Sequence, residues 1–266
     1  MNNLNRCRPM LGTFVEIDLK GNFTDKKLIN LSNKAFKRVE EIENLLSFYK
    51  EDSELSYVNA NAYYSDCFIS DDLKSVLEKA LQISKLTNGL YDISIACKLI
   101  KEGFLPNSNI AIDESANWQD IILDGNKIRF NKKLQLDLGG IAKGYAVDQA
   151  LISIYNEDLD IIINAGGDIA MNKWQEKLIK VRSSVLKDLQ PIKMQNRAVA
   201  TSSSYFFETD KNPIINPKNG QMIKDKRSIS IFASDCMTAD ALTKVGFLND
   251  NSEEIIAKFK AKSVIL

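Results

Sequence analysis

Two short apolar runs, Leu134-Gln135-Leu136-Asp137-Leu138 and Leu159-Asp160-Ile161-Ile162-Ile163, each end in a glycine pair, Gly139-Gly140 and Gly166-Gly167. A strand that ends in glycines can turn sharply and bring its backbone close to whatever lies beyond it. Residues 134–138 read as a strand, and a helix is expected over about 141–154. The first amides of such a helix point outward and carry partial positive charge, and Lys143 adds a full one. On spacing this is either a phosphate-binding turn or a tight turn beside a solvated lysine; it is neither GxxxxGK[ST] nor GxGxxG. The second run predicts a strand buried on both faces. It leads into Asn164-Ala165-Gly166-Gly167-Asp168, the kind of strand end where α/β proteins place ligands. There Asp168 either binds a ligand hydroxyl or caps a turn.

The rest of the chain mixes strands and helices without strict alternation. Val15, Ile17 and Leu19 share one face of a strand over 13–19. Leu28, Leu31, Ala35, Val39, Ile42 and Leu46 recur at helical spacing over 25–46, with Thr24 or Asp25 as cap. A helix over 71–87 has Ser70 as N-cap, Asp71 and Asp72 in its first turn, and Asn88-Gly89 as a left-handed end. Residues 120–130 predict a hairpin turning at Asp124-Gly125. Further strands are expected near 177–182, 197–201, 228–233 and 263–266, and helices near 237–247 and 252–260. The pattern predicts an α+β protein, not a doubly wound nucleotide fold. No linker or repeat divides it, so a single domain over 1–266 is expected.

Composition narrows the chemistry. The 266 residues include no His, which excludes a Ser-His-Asp triad, a Cys-His dyad and any His-ligated metal. A general base must then be Asp, Glu, Lys, Tyr or Cys, and a metal must be held by oxygen or thiolate, which favours a hard cation such as Mg²⁺. Cys7, Cys67, Cys97 and Cys236 are far apart in sequence and form no CxxC pair, so reduced thiols are expected. Lys+Arg and Asp+Glu are both 35, which argues against a broad nucleic-acid footprint. The N-terminal MNNLNRCRPMLG lacks the apolar run of a signal peptide, and no apolar stretch reaches the roughly 18 residues of a membrane span. The expectation is a cytoplasmic protein.

Two more stretches carry reactive groups. In Cys236-Met237-Thr238-Ala239-Asp240-Ala241-Leu242-Thr243-Lys244, Thr238 can cap a helix on which Asp240, Thr243 and Lys244 share a face. The plain alternative is an i,i+4 ion pair between Asp240 and Lys244. Residues 198–206, AVATSSSYF, form a strand entering a hydroxyl-rich stretch that includes Ser202.

In order along the chain stand RPMLGTFVEI (8–17), LSFYKEDSELSYVNA (46–60), TNGLYDIS (87–94), LDLGGIAKGYAVD (136–148), IINAGGDI, AVATSSSYF, PIINPKNGQ (213–221) and TADALTKVGF. Together these eight blocks closely resemble the ApbE family of FAD:protein FMN transferases. The resemblance covers about residues 6–250. It implies a single compact α+β unit related to the T-fold, with FAD in a central cleft. It also implies Mg²⁺, and transfer of the FMN half of FAD to a Thr or Ser hydroxyl of an acceptor flavoprotein with release of AMP.

By the same resemblance, Met10, Gly12 and Thr13 fall in a first flavin-site block, and Phe48, Tyr49, Ser53 and Asn59 in a second. Tyr91 and Asp92 lie beside the flavin. Gly140, Ala142, Lys143 and Asp148 match a metal and phosphate block in which the Ala142 carbonyl is a metal ligand. Gly166, Gly167 and Asp168 lie beside the nucleotide, with Ser202 also at the cofactor. Asp240 matches a metal carboxylate, with Thr243 as a further candidate ligand. Asp240, Lys244 and Lys143 are the candidate catalytic residues.

The chain departs from the family pattern twice. The family reads His-x-x-Asp-Pro-x-x-Gly where this chain has Pro213-Ile214-Ile215-Asn216-Pro217-Lys218-Asn219-Gly220. The obvious base is therefore absent, and Asp92, Asp168 or Asp240 must substitute, or positioning must carry the rate. The family's Asp-x-x-x-Thr also has Lys244 at its last position, with Thr243 one residue earlier. An ammonium is a compact charge that can neutralise phosphate and repel or replace a metal. Beside the transferase reading stand a non-catalytic flavin-binding protein and an FAD pyrophosphatase with water as acceptor.

Overall fold

The computed structural model describes residues 1–108, 110–182, 189–203, 213–224, 227–249 and 252–265. The chain begins with a hairpin, β1 (Asn2–Met10) and β2 (Thr13–Gly21), then α1 (Asp25–Leu46), α2 (Glu54–Asn61) and β3 (Cys67–Phe68). Next come α3 (Asp71–Leu86), α4 (Ala96–Lys101), a 3₁₀ turn (Trp118–Asp120), β4 (Ile121–Asp124) and β5 (Lys127–Phe130). The second half runs α5 (Ala142–Ser153), β6 (Asp160–Ala165), β7 (Asp168–Met171), β8 (Leu178–Arg182), β9 (Leu189–Lys193) and β10 (Ala198–Ser203). It ends with β11 (Ser228–Ala233), α6 (Cys236–Leu248), α7 (Ser252–Lys258) and β12 (Lys262–Ile265). The fold is α+β, and its sheets are open. The described residues group into two compact units. One draws on Met1–Glu43, Ile141–Glu208 and Asp225–Leu266, the other on Asn44–Gly140 and Thr209–Lys224.

The first unit is built on a seven-stranded sheet of order β1-β2-β6-β7-β10-β11-β12, antiparallel at every pairing. In β2 Val15, Ile17 and Leu19 are buried and alternate with more exposed neighbours, as their spacing predicts. The run 159–163 behaves differently from the expectation of two-sided burial. Within β6 only Ile161, Ile163 and Ala165 are buried, so the strand has one covered face and one partly open face. The residues of β11, in contrast, are all buried. Phe232 packs with Met171, Met194 and Val199, joined by Ile179 and Ile192 of the separate β8–β9 hairpin. Ile229 points the other way and meets α6 at Gly246, where a Cβ would come within 3.0 Å of the Ile229 side chain.

Helices α5 and α6 come close together at Gly144. A Cβ there would lie 2.3 Å from the Cys236 carbonyl oxygen, so no side chain fits. The start of α6 is capped by Asp235, whose carboxylate accepts the Thr238 amide at 2.7 Å. Thr238, expected as the cap, lies one turn inside, and its buried hydroxyl has no hydrogen-bond partner among the described residues.

The second unit contains α2, α3, α4 and the small β3-β5-β4 sheet. Ser70 caps α3 through the Leu73 amide, and Asn88 and Gly89 take left-handed conformations at its end, with φ 50° and 73°. The β4–β5 hairpin turns at Gly125-Asn126, one residue later than expected, because Asp124 already pairs with Lys127 and the positive φ falls on Gly125. Residues 134–138 do not form a strand. Their polar backbone is satisfied instead by single contacts. Asn59 accepts the Leu136 amide at 2.7 Å and donates to the Leu136 carbonyl at 3.0 Å, and the Asp137 amide donates to the Ile93 carbonyl at 2.8 Å. The β1 strand and helices α2 and α4 have no counterpart in the periodicity reading. In β1 no residue is buried, so no apolar alternation marks it. Leu266 and residues 204–206 of the AVATSSSYF block lie outside the described residues.

Candidate active site

In the first unit, four charged side chains from three elements meet. Lys143 sits in the first turn of α5, Asp168 opens β7, and Asp240 and Lys244 lie one turn apart on α6. Lys143 bonds the Asp168 carboxylate, and its Nζ is 3.7 Å from Asp240 Oδ2. Lys244 bonds Asp240 Oδ1, and also donates to the Asp240 carbonyl at 3.1 Å. Gly144, at the tight helix crossing, donates its amide to Asp240 Oδ2 at 3.2 Å. The carboxylates are buried, with side-chain exposure of 4% for Asp168 and 1% for Asp240, while the lysines keep 34% and 21%. The cluster is therefore two buried anions faced by two part-exposed cations.

These partners set the protonation states. Burial opposes the Lys143 charge, but the Asp168 and Asp240 carboxylates outweigh it and hold the ammonium above the ordinary lysine value. Burial likewise opposes ionisation of Asp240, but Lys143 and Lys244 outweigh it and hold the carboxyl below the ordinary 3.8. At Asp168 burial prevails over Lys143 and leaves the group raised. Of these two carboxylates, Asp168 is thus the one suited to take a proton.

The Gly166-Gly167 turn that the sequence singles out lies against the β1–β2 turn at Gly12. Leu11 and Gly12 close the β1–β2 hairpin with φ 56° and 68°, and Gly166 and Gly167 close the β6–β7 hairpin with φ 63° and 105°. A Cβ on Gly166 would stand 2.6 Å from Thr13 Oγ1. The Gly166 amide donates to the Phe14 carbonyl at 3.2 Å, and the Gly167 amide to Asn164 Oδ1 at 2.9 Å. Met10, Gly12, Thr13, Gly166, Gly167 and Asp168 thus form one turn cluster. Ser202, on β10, is 2.8 Å from the Thr243 hydroxyl.

Asp148, carried over as part of a metal and phosphate block, instead supports α6. Its two oxygens accept the Cys236 and Met237 amides at 2.9 and 2.8 Å. Burial pushes it up to about 7 despite those amides. The Cys236 thiol beside it is buried and pushed well above its ordinary value, chiefly by burial, so it is no nucleophile.

In the second unit, the expected flavin-side residues are held by neutral contacts. The Tyr49 hydroxyl donates to the Phe104 carbonyl at 3.1 Å, and its ring is exposed. Ser53 caps α2, and Asn59 is fixed by Leu136. Tyr91 is buried, with its amide on Thr87 Oγ1 at 3.1 Å. Asp92, raised by burial, accepts from the Ser94 amide and hydroxyl and from the Trp118 amide. Gly140 follows Gly139, whose amide bonds Asp137 Oδ1 at 3.2 Å. Asn216, where the family has Asp, organises its own turn by accepting the Lys218 amide at 2.9 Å.

The expected metal ligands are Ala142, Asp240 and Thr243, and the two side chains among them, as arranged, do not fit Mg²⁺. Both Asp240 oxygens are engaged, one by an ammonium and one by an amide. Thr243 donates its proton to the Asp240 carbonyl at 2.7 Å, so its lone pairs face Ser202 as donor. Mg²⁺ needs near-octahedral oxygens at about 2.0–2.1 Å. An ammonium about 4 Å from a divalent ion repels it by about 8 kcal/mol at an effective dielectric near 20, which cancels the attraction of one carboxylate at the same distance. Among the described residues, no group of three or more Cys, Asp or Glu side chains is placed to hold a metal.

The profile of the ApbE family matches residues 11–264. The chain belongs to the ApbE family. Two curated relatives carry the name FAD:protein FMN transferase. That of Vibrio cholerae is 27% identical over 88% of this chain and 78% of its own, and that of Haemophilus influenzae is 28% identical over the same shares. Among solved structures, the flavin transferase ApbE from Vibrio cholerae superposes with a TM-score of 0.85 at 21% identity, covering 99% of this chain and 93% of that one. The ApbE protein of Thermotoga maritima gives 0.85 at 24% identity over 99% and 94%. These likenesses establish the ApbE fold.

Sequence reasoning brought Lys143, Asp168, Asp240, Lys244 and the Gly166-Gly167 turn to notice, and in this ApbE chain they are neighbours. It missed Gly144. The signal available was a glycine inside an otherwise good helix, which costs about 1 kcal/mol against Ala and so calls for a packing reason.

Proposed function

We propose that this ApbE chain, acting as one domain over residues 1–266, transfers the FMN moiety of FAD to a Thr or Ser hydroxyl of an acceptor flavoprotein and releases AMP. The observation that carries the reading is the pairing of Lys143 with both Asp168 and Asp240. It keeps an ammonium charged and aimed at one place beside a raised carboxylate. In this reading Lys143 holds the pyrophosphate, and the glycine turns Gly12 and Gly166-Gly167 let the nucleotide approach the backbone. The acceptor hydroxyl oxygen attacks the FMN phosphorus and its proton passes to Asp168. The bond from that phosphorus to the bridging oxygen breaks, and AMP leaves with that oxygen. Asp168 thus replaces the family's histidine as base, and the Lys143 charge offsets the charge developing on the leaving phosphate. Tyr49, Tyr91 and Asp92 are assigned to flavin contact and Asn59 to positioning. Among the described residues, no helix is long and apolar enough to cross a membrane.

The test is incubation of the purified protein with FAD and an acceptor domain carrying a Thr flavinylation site. AMP release matched by FMN covalently bound to the acceptor, read by chromatography and intact mass, is the expected result. FMN and AMP released free identify a pyrophosphatase. FAD recovered intact identifies a flavin-binding protein.

A further inference from the structure

We propose that the Lys244 ammonium takes the place of a divalent cation in this chain, so that FAD binding and FMN transfer need no Mg²⁺. The inference rests on the transferase reading for its substrate and on the α5–α6 cluster for its argument. Asp240 is the sole carboxylate on its face of α6, and it is already balanced. One oxygen accepts Lys244, the other accepts the Gly144 amide and faces Lys143 at 3.7 Å. The neighbouring hydroxyl, Thr243, is fully buried and bonded to Ser202 and to the Asp240 carbonyl. A cation arriving here meets two ammonium groups and no unengaged oxygen on either residue.

The charge count points the same way. Two carboxylates and two ammoniums sum to zero, so the site has no surplus negative charge to attract a divalent ion. It does have two cations whose side chains are 34% and 21% exposed. Held by buried carboxylates, those ammoniums are pre-positioned for phosphate oxygens, the groups a metal would otherwise neutralise. Lys244 is fixed twice, through the Asp240 carboxylate and carbonyl, which limits the entropy lost on binding.

The experiment uses the full chain, stripped of metal, with two readouts that need no acceptor. These are FAD affinity by fluorescence, with and without excess EDTA, and Mn²⁺ binding by electron paramagnetic resonance in the presence of FAD. The wild type is expected to hold FAD equally well with EDTA and to leave Mn²⁺ free. Lys244→Thr is expected to bind Mn²⁺, and its FAD affinity is expected to fall about 10–100-fold on adding EDTA, the size of a lost charge-assisted contact. Lys244→Gln, with folding checked by circular dichroism, serves if the Thr variant does not fold, and is expected to weaken FAD about 10-fold or more in EDTA. A wild type that binds Mn²⁺, or that loses FAD when EDTA is added, overturns the proposal and leaves the transferase reading standing. Failure to bind FAD under either condition overturns both.

Discussion

Asp240 and Asp148 sit at the same helix pair and are both buried, yet their surroundings drive them in opposite directions. Asp240 has an ammonium on one oxygen and an amide plus a second ammonium at the other, and it is held below the ordinary carboxylate value. Among the described residues Asp148 is held by two backbone amides, and burial takes it up to about 7. Amides at a helix start satisfy a carboxylate's hydrogen bonds, but full positive charges are needed to offset the loss of water. One carboxylate is thus an ion at every physiological pH. The other is a structural clamp that titrates near neutrality.

The largest effect that tests this contrast comes from Asp240→Ala. It leaves Lys244 and part of Lys143 without their counter-charge, and breaking such a buried pair costs about 3–5 kcal/mol. Urea unfolding should show that loss, and AMP release should disappear while some FAD binding survives. Unchanged turnover would remove Asp240 from the site.

Asp148 comes next. Its folded value of about 7 lies above the unfolded 3.8, so the folded state holds a proton that the unfolded state has given up. Its contribution is complete below pH 4 and is lost as the pH rises through 7, at most about 4 kcal/mol over that interval. Asp148→Asn should flatten the fall in stability between pH 5 and pH 8, measured by denaturant midpoints. Asp240 has the opposite sign: its contribution is present above 3.8 and is lost only in acid. Equal pH slopes for the wild type and Asp148→Asn would erase the contrast.

Lys143→Ala is expected to weaken FAD about 10–100-fold and riboflavin little, because the lost contact is to phosphate. Equal losses in a binding titration would place Lys143 elsewhere. The smallest effect is expected in the other unit. Asn59→Ala removes two neutral bonds to Leu136 and should cost about 1–3 kcal/mol with no change in pH slope.

What the sequence reveals follows the physics of each element. Helix α1 is legible to the residue, because a long amphipathic stripe with a cap at its start leaves little choice. The β2 strand is legible from its alternation. Residues 134–138 alternate just as well, yet are no strand, because Asn59, distant in sequence, takes the bonds that a ladder would make. No periodicity carries that information. The same holds at the site. Asp240 and Lys244 are a readable i,i+4 pair, whereas Lys143 with Asp168 spans 25 residues and depends on how the β6–β7 hairpin meets α5. The family resemblance brings both to notice, and only the fold joins them. The role of Asp148 as a clamp on α6 is a tertiary fact of the same kind.

The contact at Gly144 reaches further than packing. Because a Cβ there would collide with the Cys236 carbonyl, any larger residue forces α6 outward, and the Gly144 amide then parts from Asp240. The atoms struck belong to the main chain of Cys236 and Met237, so no side-chain change there makes room. Glycine is the residue this crossing admits at 144, and a library randomised at that position should return glycine.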